Sequence, residues 1–277
     1  MIYTEAISSG CMWTSSVAPL SRLLLSGLSA SFAIQPQTCT KVTPFTSVLA
    51  TRLHSTAMSQ APPPVVINAK KNHTSTVIFL HGLGDQGDGW SDVFAHEIRH
   101  DNIKYICPSS ASRPVTLNMG MRMPAWFDLY GLDASSREDD EGIAQATRLV
   151  HGMLDAEIAN GIPAEKIILG GFSMGGALAL YAGLTYHHKL GGIVGLSSFL
   201  IQRDKLPGNH RANLATPIFL GHGSNDFLVP LTFGQLTERM IKTFNPNVQL
   251  RVYNGMAHSS CAEELRDVKN FINERVN

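Results

Sequence analysis

The sequence predicts an α/β domain in which a mainly parallel central sheet is covered by helices on both faces. Short apolar runs alternate with longer segments of helical spacing from Val65 onward. Most of these runs are apolar throughout, which is typical of strands that are buried on both faces. A chain of 277 residues can also form one large apolar core that needs no disulfide or metal to stabilise it.

Six short segments are predicted to form the strands. In chain order they are Val77–Leu80, Ile103–Ile106, Ile167–Leu169, Ile193–Val194, Ile218–Leu220 and Val248–Val252. Segments of helical spacing or composition lie between or after them, at Ile143–Ile158, Ala177–Leu184, Leu231–Ile241 and Glu263–Val276. The first of these helices follows a group of acidic residues, which the helix dipole favours at that end, and Gly161 ends it.

The catalytic domain is predicted to span residues 62–277, and residues 1–60 form an N-terminal extension. The extension is rich in serine and threonine, and Glu5 is its single acidic residue. This composition leans towards a mitochondrial presequence, although basic residues are few. The alternative is a dispensable tail that precedes a second start at Met58. We therefore expect a cytoplasmic protein, with mitochondrial targeting by the extension as the other outcome.

Composition excludes several classes of protein. The 22 basic and 22 acidic residues balance, so the chain lacks the basic footprint of a nucleic-acid binder. No apolar run approaches the roughly 18 residues that span a bilayer. The four cysteines form no CxxC pair, which indicates reduced thiols in a cytosol-like compartment rather than a zinc site or a disulfide framework.

The strongest local motif is Gly-Phe-Ser-Met-Gly, which centres on Ser173. It directly follows the strand Ile167–Leu169 and directly precedes the helical run Ala177–Leu184. A strand-to-helix turn of this kind holds a serine in a strained conformation and needs small flanking residues. Ser173 is therefore the predicted nucleophile of an α/β-hydrolase. The alternative is a glycine-rich helix start that merely packs closely.

A serine nucleophile needs a base and an orienting carboxylate, which follow it in the order acid, then histidine in this fold. His258 lies between the last strand and the last helix and is the predicted base. Asp226 directly follows the strand Ile218–Leu220 and is the predicted acid; the alternative is a loop cap. His222 is expected to shape the acid loop, and Asp267 to face outward from the last helix.

An acyl-transfer site also needs N–H donors for the oxyanion. The predicted donors are the amides of Met174, which follows the nucleophile, and of Leu83, in the turn after the first predicted strand. A phosphate-binding loop is the competing interpretation of that turn. It is rejected because Asp85 and Asp88 would repel an anion.

With these residues assembled, the chain resembles the acyl-protein thioesterase and lysophospholipase-like carboxylesterase family. The matching runs are residues 81–87, 116–132, 167–180, 221–230 and 255–261. The resemblance implies an α/β-hydrolase that cleaves long acyl thioesters from S-acylated (palmitoylated) protein cysteines, with activity on lysophospholipids and simple esters and without a metal or cofactor. We expect peripheral membrane contact, no nucleic-acid partner, and a monomer or weak homodimer.

Apolar residues in loops near the predicted catalytic edge suggest an acyl channel. They are Trp126, Phe199, Phe227 and Leu228. Burial in the core is the alternative for each of them. Met174 stands where vertebrate members usually have glutamine, and Phe227 stands where a proline often follows the acid. The rival functions are a general carboxylesterase or lysophospholipase with little thioesterase activity, and a non-catalytic lipid-binding protein on a hydrolase fold.

Overall fold

The computed structural model describes residues 60–133 and 136–276. Seven strands form the main sheet: β1 (Val65–Ile67), β2 (Ser75–Leu80), β3 (Ile103–Cys107), β6 (Ile167–Phe172), β7 (Gly192–Leu196), β8 (Ile218–Gly223) and β9 (Val248–Tyr253). Their order across the sheet is β1-β3-β2-β6-β7-β8-β9. All neighbours pair in parallel except β1, which is antiparallel to β3. The prediction of a mainly parallel sheet is confirmed.

Helices cover both faces of this sheet. They are α1 (Gly87–His96), α2 (Asp140–Ala159), α3 (Met174–Thr185), α4 (Leu231–Lys242) and α5 (Ala262–Val276). One core cluster joins the sheet to α2, α3 and α4, and the other joins it to α1 and α5. In the part of the chain that the structure describes, no helix is long and apolar enough to cross a membrane.

Three features of the fold were not predicted from the sequence. The first is helix α1, whose Trp90 and Phe94 lie four residues apart and pack against Phe79 of β2. The second is the edge strand β1. The third is a separate antiparallel hairpin made of β4 (Ser112–Val115) and β5 (Met121–Pro124).

The extension lies almost entirely outside the described residues, which begin at residue 60. The predictions of targeting and of a second start at Met58 therefore stay predictions. Of the cysteines, Cys107 and Cys261 fall in the described part, and both are free thiols. Burial raises the pKa of the Cys107 thiol to about 12, so this group is an unreactive part of the core.

Candidate active site

Ser173 lies at a sharp turn between β6 and α3, and it is the N-cap residue of that helix. Its backbone angles, φ 53° and ψ −121°, are unusual for a residue with a side chain and represent stored strain. Three hydrogen bonds of its backbone hold the residue there. Its N–H donates to the carbonyl of Leu196 (2.8 Å), and its own carbonyl accepts from the Ser198 hydroxyl (2.9 Å) and from the Ala177 N–H (3.0 Å).

The two glycines of the motif are required because backbone from other elements occupies the space of their side chains. A Cβ on Gly171 would lie 2.4 Å from the Gly175 carbonyl carbon. A Cβ on Gly175 would lie 2.3 Å from the carbonyl oxygens of both Leu80 and His81. The start of α3 is therefore pressed against the end of β2, which brings the turn after β2 next to the nucleophile.

His258 lies in the loop between β9 and α5 and reaches over the sheet edge to Ser173. Its Nε2 atom is 3.0 Å from the Ser173 hydroxyl oxygen. The imidazole packs against the ring of Phe172, with 4.8 Å between the ring centroids. The side chain is 15% exposed, so one edge of the base stays accessible from solvent.

Asp226 holds the far side of this imidazole. Its Oδ2 atom lies 2.7 Å from His258 Nδ1. Its Oδ1 atom accepts from the backbone N–H groups of Leu228 (3.0 Å) and Val229 (2.8 Å). The carboxylate is buried. It contacts the histidine, as predicted for the acid, and it also caps the loop by accepting backbone N–H groups, which was the alternative role.

The acid and base loops are tied to each other by backbone hydrogen bonds. The Asn225 N–H donates to the Met256 carbonyl (3.0 Å), and the Ser224 N–H donates to the Tyr253 carbonyl (2.9 Å). Within the acid loop, the His222 imidazole lies 2.7 Å from the Val229 carbonyl and is almost completely buried. Burial lowers the pKa of His222, so a neutral ring shapes this loop, as the sequence predicted.

The predicted oxyanion donors lie on either side of the nucleophile. Met174 occupies the first position of α3, where the helix offers its N–H no acceptor. A Cβ on Gly82, one residue before Leu83, would lie 3.5 Å from the Cβ of Ser173. Among the hydrogen bonds of residues 60–133 and 136–276, none is donated by the Leu83 N–H. Both predicted donors therefore lie within one residue of a position that contacts or adjoins Ser173, and neither N–H has an acceptor that would compete with a developing oxyanion.

The four residues predicted to line an acyl channel are not brought together as one surface. Phe199 lines a cleft of about 670 Å³, including its part open to solvent, between α4 and the segment after the hairpin. Its apolar lining includes Phe127, Leu129, Phe199, Leu200, Phe233, Leu236 and Met240. Phe227 (88% exposed) and Leu228 (65% exposed) project to solvent beside Asp226 instead.

Trp126 is set apart from this cleft. It is 3% exposed and packs in the core beneath the turn that carries Leu83. Its indole N–H donates to the carbonyl of His81 (2.9 Å), and the two rings pack with centroids 4.8 Å apart. The residue that the sequence placed in the channel therefore supports the turn next to the nucleophile.

Two acidic residues of α5 are buried or nearly so. The prediction that Asp267 faces outward is wrong, because its carboxylate is 12% exposed and pairs with Arg251 at 2.9 Å and with the Tyr253 hydroxyl at 3.0 Å. Glu264 is fully buried, and neither of its carboxyl oxygens has a hydrogen-bond partner among the described residues. Burial, together with the charge of Asp267, raises the pKa of Glu264 to about 8. This side chain occupies space beside Gly221, where a Cβ would lie 2.3 Å from Glu264 Oε1.

Comparison with known proteins shows where the chain belongs. A model of the phospholipase/carboxylesterase family matches residues 61–276. Acyl-protein thioesterase 1 of Neurospora crassa is 41% identical over 225 residues, which cover 77% of this chain and 92% of that protein. Acyl-protein thioesterase 1 of Gibberella zeae is 42% identical over 224 residues, which cover 77% of this chain and 95% of that protein.

Solved structures agree with this assignment. The crystal structure of acyl-protein thioesterase 2 of Zea mays superimposes with a TM-score of 0.71 at 32% identity and covers 77% of this chain and 99% of that one. A carboxylesterase of Bacillus cereus, at 21% identity and a TM-score of 0.62 over 80% of this chain and 96% of that one, shares the fold alone. The chain therefore belongs to the acyl-protein thioesterases of the phospholipase/carboxylesterase family and is a hydrolase of the α/β-hydrolase superfamily.

Proposed function

We propose that this protein is a serine thioesterase that removes long acyl chains from S-acylated cysteines of proteins. The observation that carries the proposal is the continuous hydrogen-bonded series from Asp226 through His258 to the hydroxyl of Ser173, with distances of 2.7 and 3.0 Å. A positioned serine, histidine and carboxylate constitute the constellation that activates a hydroxyl for acyl transfer. The relatives named acyl-protein thioesterase support the thioester as substrate.

The reaction proceeds in two steps. In the first, Nε2 of His258 takes the Ser173 proton as the serine oxygen bonds to the thioester carbonyl carbon, and the amides of Leu83 and Met174 bind the resulting oxyanion. The C–S bond then breaks, and the thiolate leaves with the proton held by His258. His258 gives that proton to the leaving sulfur and is neutral again. In the second step, His258 takes a proton from water as the water oxygen bonds to the acyl carbon, the bond from that carbon to the serine oxygen breaks, and His258 returns the proton to Ser173 as the fatty acid is released.

The same proposal places the acyl chain in the cleft that Phe199 lines. The support is the position of Phe199 in the chain, since it directly follows Ser198, whose hydroxyl donates to the Ser173 carbonyl. Each methylene that leaves water there contributes about 0.8 kcal/mol. Phe227 and Leu228 of the acid loop do not line this cleft, and their exposed apolar side chains suit peripheral contact with a lipid surface.

A comparison of substrates tests the activity. Wild type should hydrolyse a palmitoyl-cysteine peptide, and Ser173→Ala should lose turnover by several orders of magnitude while keeping its unfolding temperature. Lysophosphatidylcholine in the same assay separates the rival lysophospholipase function. Stoichiometric labelling of Ser173→Ala by a fluorophosphonate probe would disprove the nucleophile, and the absence of labelling in wild type would favour a non-catalytic lipid-binding protein.

Location and assembly are further parts of the proposal. We propose a cytoplasmic enzyme that is a monomer or weak homodimer and contacts membranes peripherally. Sedimentation velocity tests the assembly state, and flotation with phosphatidylcholine vesicles, compared between wild type and Phe227→Ser, tests the contact. Fluorescent fusions of the full chain and of a chain starting at Met58 test mitochondrial targeting.

A further inference from the structure

His81 is a fully buried histidine that takes no part in the proton transfers proposed above. It directly follows β2 and opens the turn that carries Leu83. Its two ring nitrogens have different partners. Nε2 lies 2.9 Å from the backbone nitrogen of Ser110, and Nδ1 lies 2.7 Å from the carbonyl oxygen of Gly82.

These partners determine which ring nitrogen carries the proton. The Ser110 N–H can only donate, so Nε2 must accept and cannot itself be protonated. The proton of the neutral ring is therefore on Nδ1, which donates to the Gly82 carbonyl. Burial lowers the pKa of His81 against the weaker opposing effects of that carbonyl, Asp85 and Asp88, which agrees with a neutral ring.

The bond to the Gly82 carbonyl fixes the direction of the next amide. In a planar trans peptide the C=O and the following N–H point in opposite directions. Because the Gly82 carbonyl points at the His81 ring, the Leu83 N–H points away from it. The Asp85 N–H also donates to this carbonyl, but at 3.3 Å, so the imidazole makes the shorter contact.

The ring itself is held from a third direction. The Trp126 indole donates to the His81 carbonyl and packs against the imidazole. From the carbonyl side, α3 presses so closely that Gly175 has no room for a side chain. The His81 ring is therefore fixed in place and its tautomer is set, with Gly82 next to the Ser173 side chain.

We propose that His81 is a positioning residue for the oxyanion site: as the Nδ1–H tautomer it holds the Gly82 carbonyl and thereby points the Leu83 N–H at the substrate carbonyl. This inference rests on the proposed hydrolase function. Without the imidazole donor, the Gly82–Leu83 peptide can rotate, and a rotation would turn a carbonyl oxygen rather than an N–H towards the developing negative charge. The loss weakens binding of the transition state but not of the substrate, so kcat should fall while KM is little changed.

The full-length wild-type protein gives the first test. In a sample labelled with ¹⁵N-histidine, the His81 ring should show the Nδ1–H tautomer between pH 7 and pH 8. A protonated ring at pH 7, or the Nε2–H tautomer, overturns the proposal. This measurement needs no substrate, so it is independent of whether the enzyme prefers thioesters.

Two substitutions give the second test. His81→Leu removes the donor, and kcat should fall about 10²- to 10³-fold, with KM within about threefold. Affinity for a trifluoromethyl ketone, which forms a tetrahedral oxyanion on the serine, should fall in parallel. His81→Asn keeps a side-chain N–H near the Nδ1 position and should recover most of both losses.

His151 provides the matched control, because it is also partly buried and its Nε2 lies 2.8 Å from a backbone carbonyl, that of Ala182. His151→Leu should leave kcat and inhibitor affinity within about twofold of wild type, as expected of a histidine that does not position the oxyanion site. Active-site titration with a fluorophosphonate corrects each variant for folded protein. If His81→Leu matches wild type per active site, or if His81→Asn is no better than His81→Leu, the positioning role is wrong; if His81→Leu does not fold, the tautomer in wild type decides.

Discussion

Asp226 and His258 meet through one carboxylate oxygen only, Oδ2, while the other oxygen accepts two backbone N–H groups of the acid loop. The two oxygens of the acid therefore have different partners, and together these partners fix the plane of the carboxylate. Tilting this plane would leave the N–H groups of Leu228 and Val229 without their acceptor and move the other oxygen away from His258, which is unfavourable. The loop fixes the acid, and the acid fixes the ring.

Asp226→Asn should therefore inactivate the enzyme without unfolding it. The amide oxygen of asparagine will take the place that accepts the two backbone N–H groups, so the NH₂ group will face His258 Nδ1. That nitrogen must then accept, which leaves the proton on Nε2, where it blocks removal of the serine proton. We expect kcat to fall by about 10⁴-fold, measured per folded protein with an unchanged unfolding temperature. A loss of less than tenfold would contradict this account of the acid.

The space around Gly175 predicts a large loss of stability on a one-carbon change. Gly175→Ala puts a methyl group 2.3 Å from two carbonyl oxygens at the end of β2, and neither backbone can retreat without moving the sheet or α3. The free energy of unfolding should fall by about 3 kcal/mol or more. Gly152, on the exposed face of α2, has nothing within 4 Å, and Gly152→Ala should instead gain about 0.5 to 1 kcal/mol. Urea denaturation measures the free energy of unfolding of both variants, which should be lower than wild type for Gly175→Ala and higher for Gly152→Ala.

Glu264 predicts a pH dependence of stability. Its pKa is about 8 in the folded protein against an ordinary value of 4.5, so the folded state binds more protons than the unfolded state between these pH values. Stability must then decrease as pH rises through this window, by about 1.4 kcal/mol per pH unit from this group. Glu264→Gln resembles the protonated acid and cannot titrate.

The difference in stability between Glu264→Gln and wild type should be small near pH 4.5, grow with pH and level off above about pH 8. Thermal unfolding at pH 5, 6.5 and 8 measures it. Glu263→Gln is the control, because Glu263 is the exposed neighbour of Glu264. Parallel curves for wild type and Glu264→Gln would show that the buried carboxyl keeps an ordinary pKa.

The cleft predicts how rate depends on acyl length. For wild type, kcat/KM on acyl thioesters should rise by up to about fourfold for each added methylene until the chain outgrows the cleft. Phe199→Ala removes a wall that packs against Phe233, with 6.5 Å between ring centroids. We expect the preference for C16 over C4 chains to fall by about tenfold, with the C4 rate little changed.

The exposed Phe227 separates two routes for the acyl chain. If Phe227→Ala lowers the C16 preference as much as Phe199→Ala does, the chain runs over the acid loop rather than into the cleft. If only Phe199→Ala lowers it, the chain lies in the cleft. A length series on one thiol, measured for wild type and both variants, distinguishes these results.

The sequence predicts the structure best where the backbone conformation and the chemistry of a site are determined by residues that are close together in the chain. The turn around Ser173 is recognisable because strand, glycines and helix follow one another directly. Asp226 and His258 could be chosen because parallel strands end at one edge, so position along the chain implies proximity in space. The same rule placed Leu83 near the serine.

Prediction failed where burial depends on distant contacts. Helix α1 could not be predicted because its glycines and acidic residues are typical of a turn, although Trp90 and Phe94 show helical spacing. Glu264 lies four residues before Val268 and seven before Phe271, on the apolar face of α5, but only the packing of that face on the sheet shows that its carboxyl group is buried without a hydrogen-bond partner among the described residues. For Trp126, no local pattern distinguishes an aromatic ring that lines a cleft from one that supports a turn.

The separation of the site residues along the chain has a consequence for the order in which activity appears during folding. Ser173 and His258 are 85 residues apart, and β7, β8 and β9 lie between them. An intermediate in which β9 has not yet joined β8 therefore carries a strained serine with no base beside it. Hydrolytic activity and the completed sheet should therefore appear in the same kinetic phase of refolding. A partly folded chain should not hydrolyse esters or thioesters.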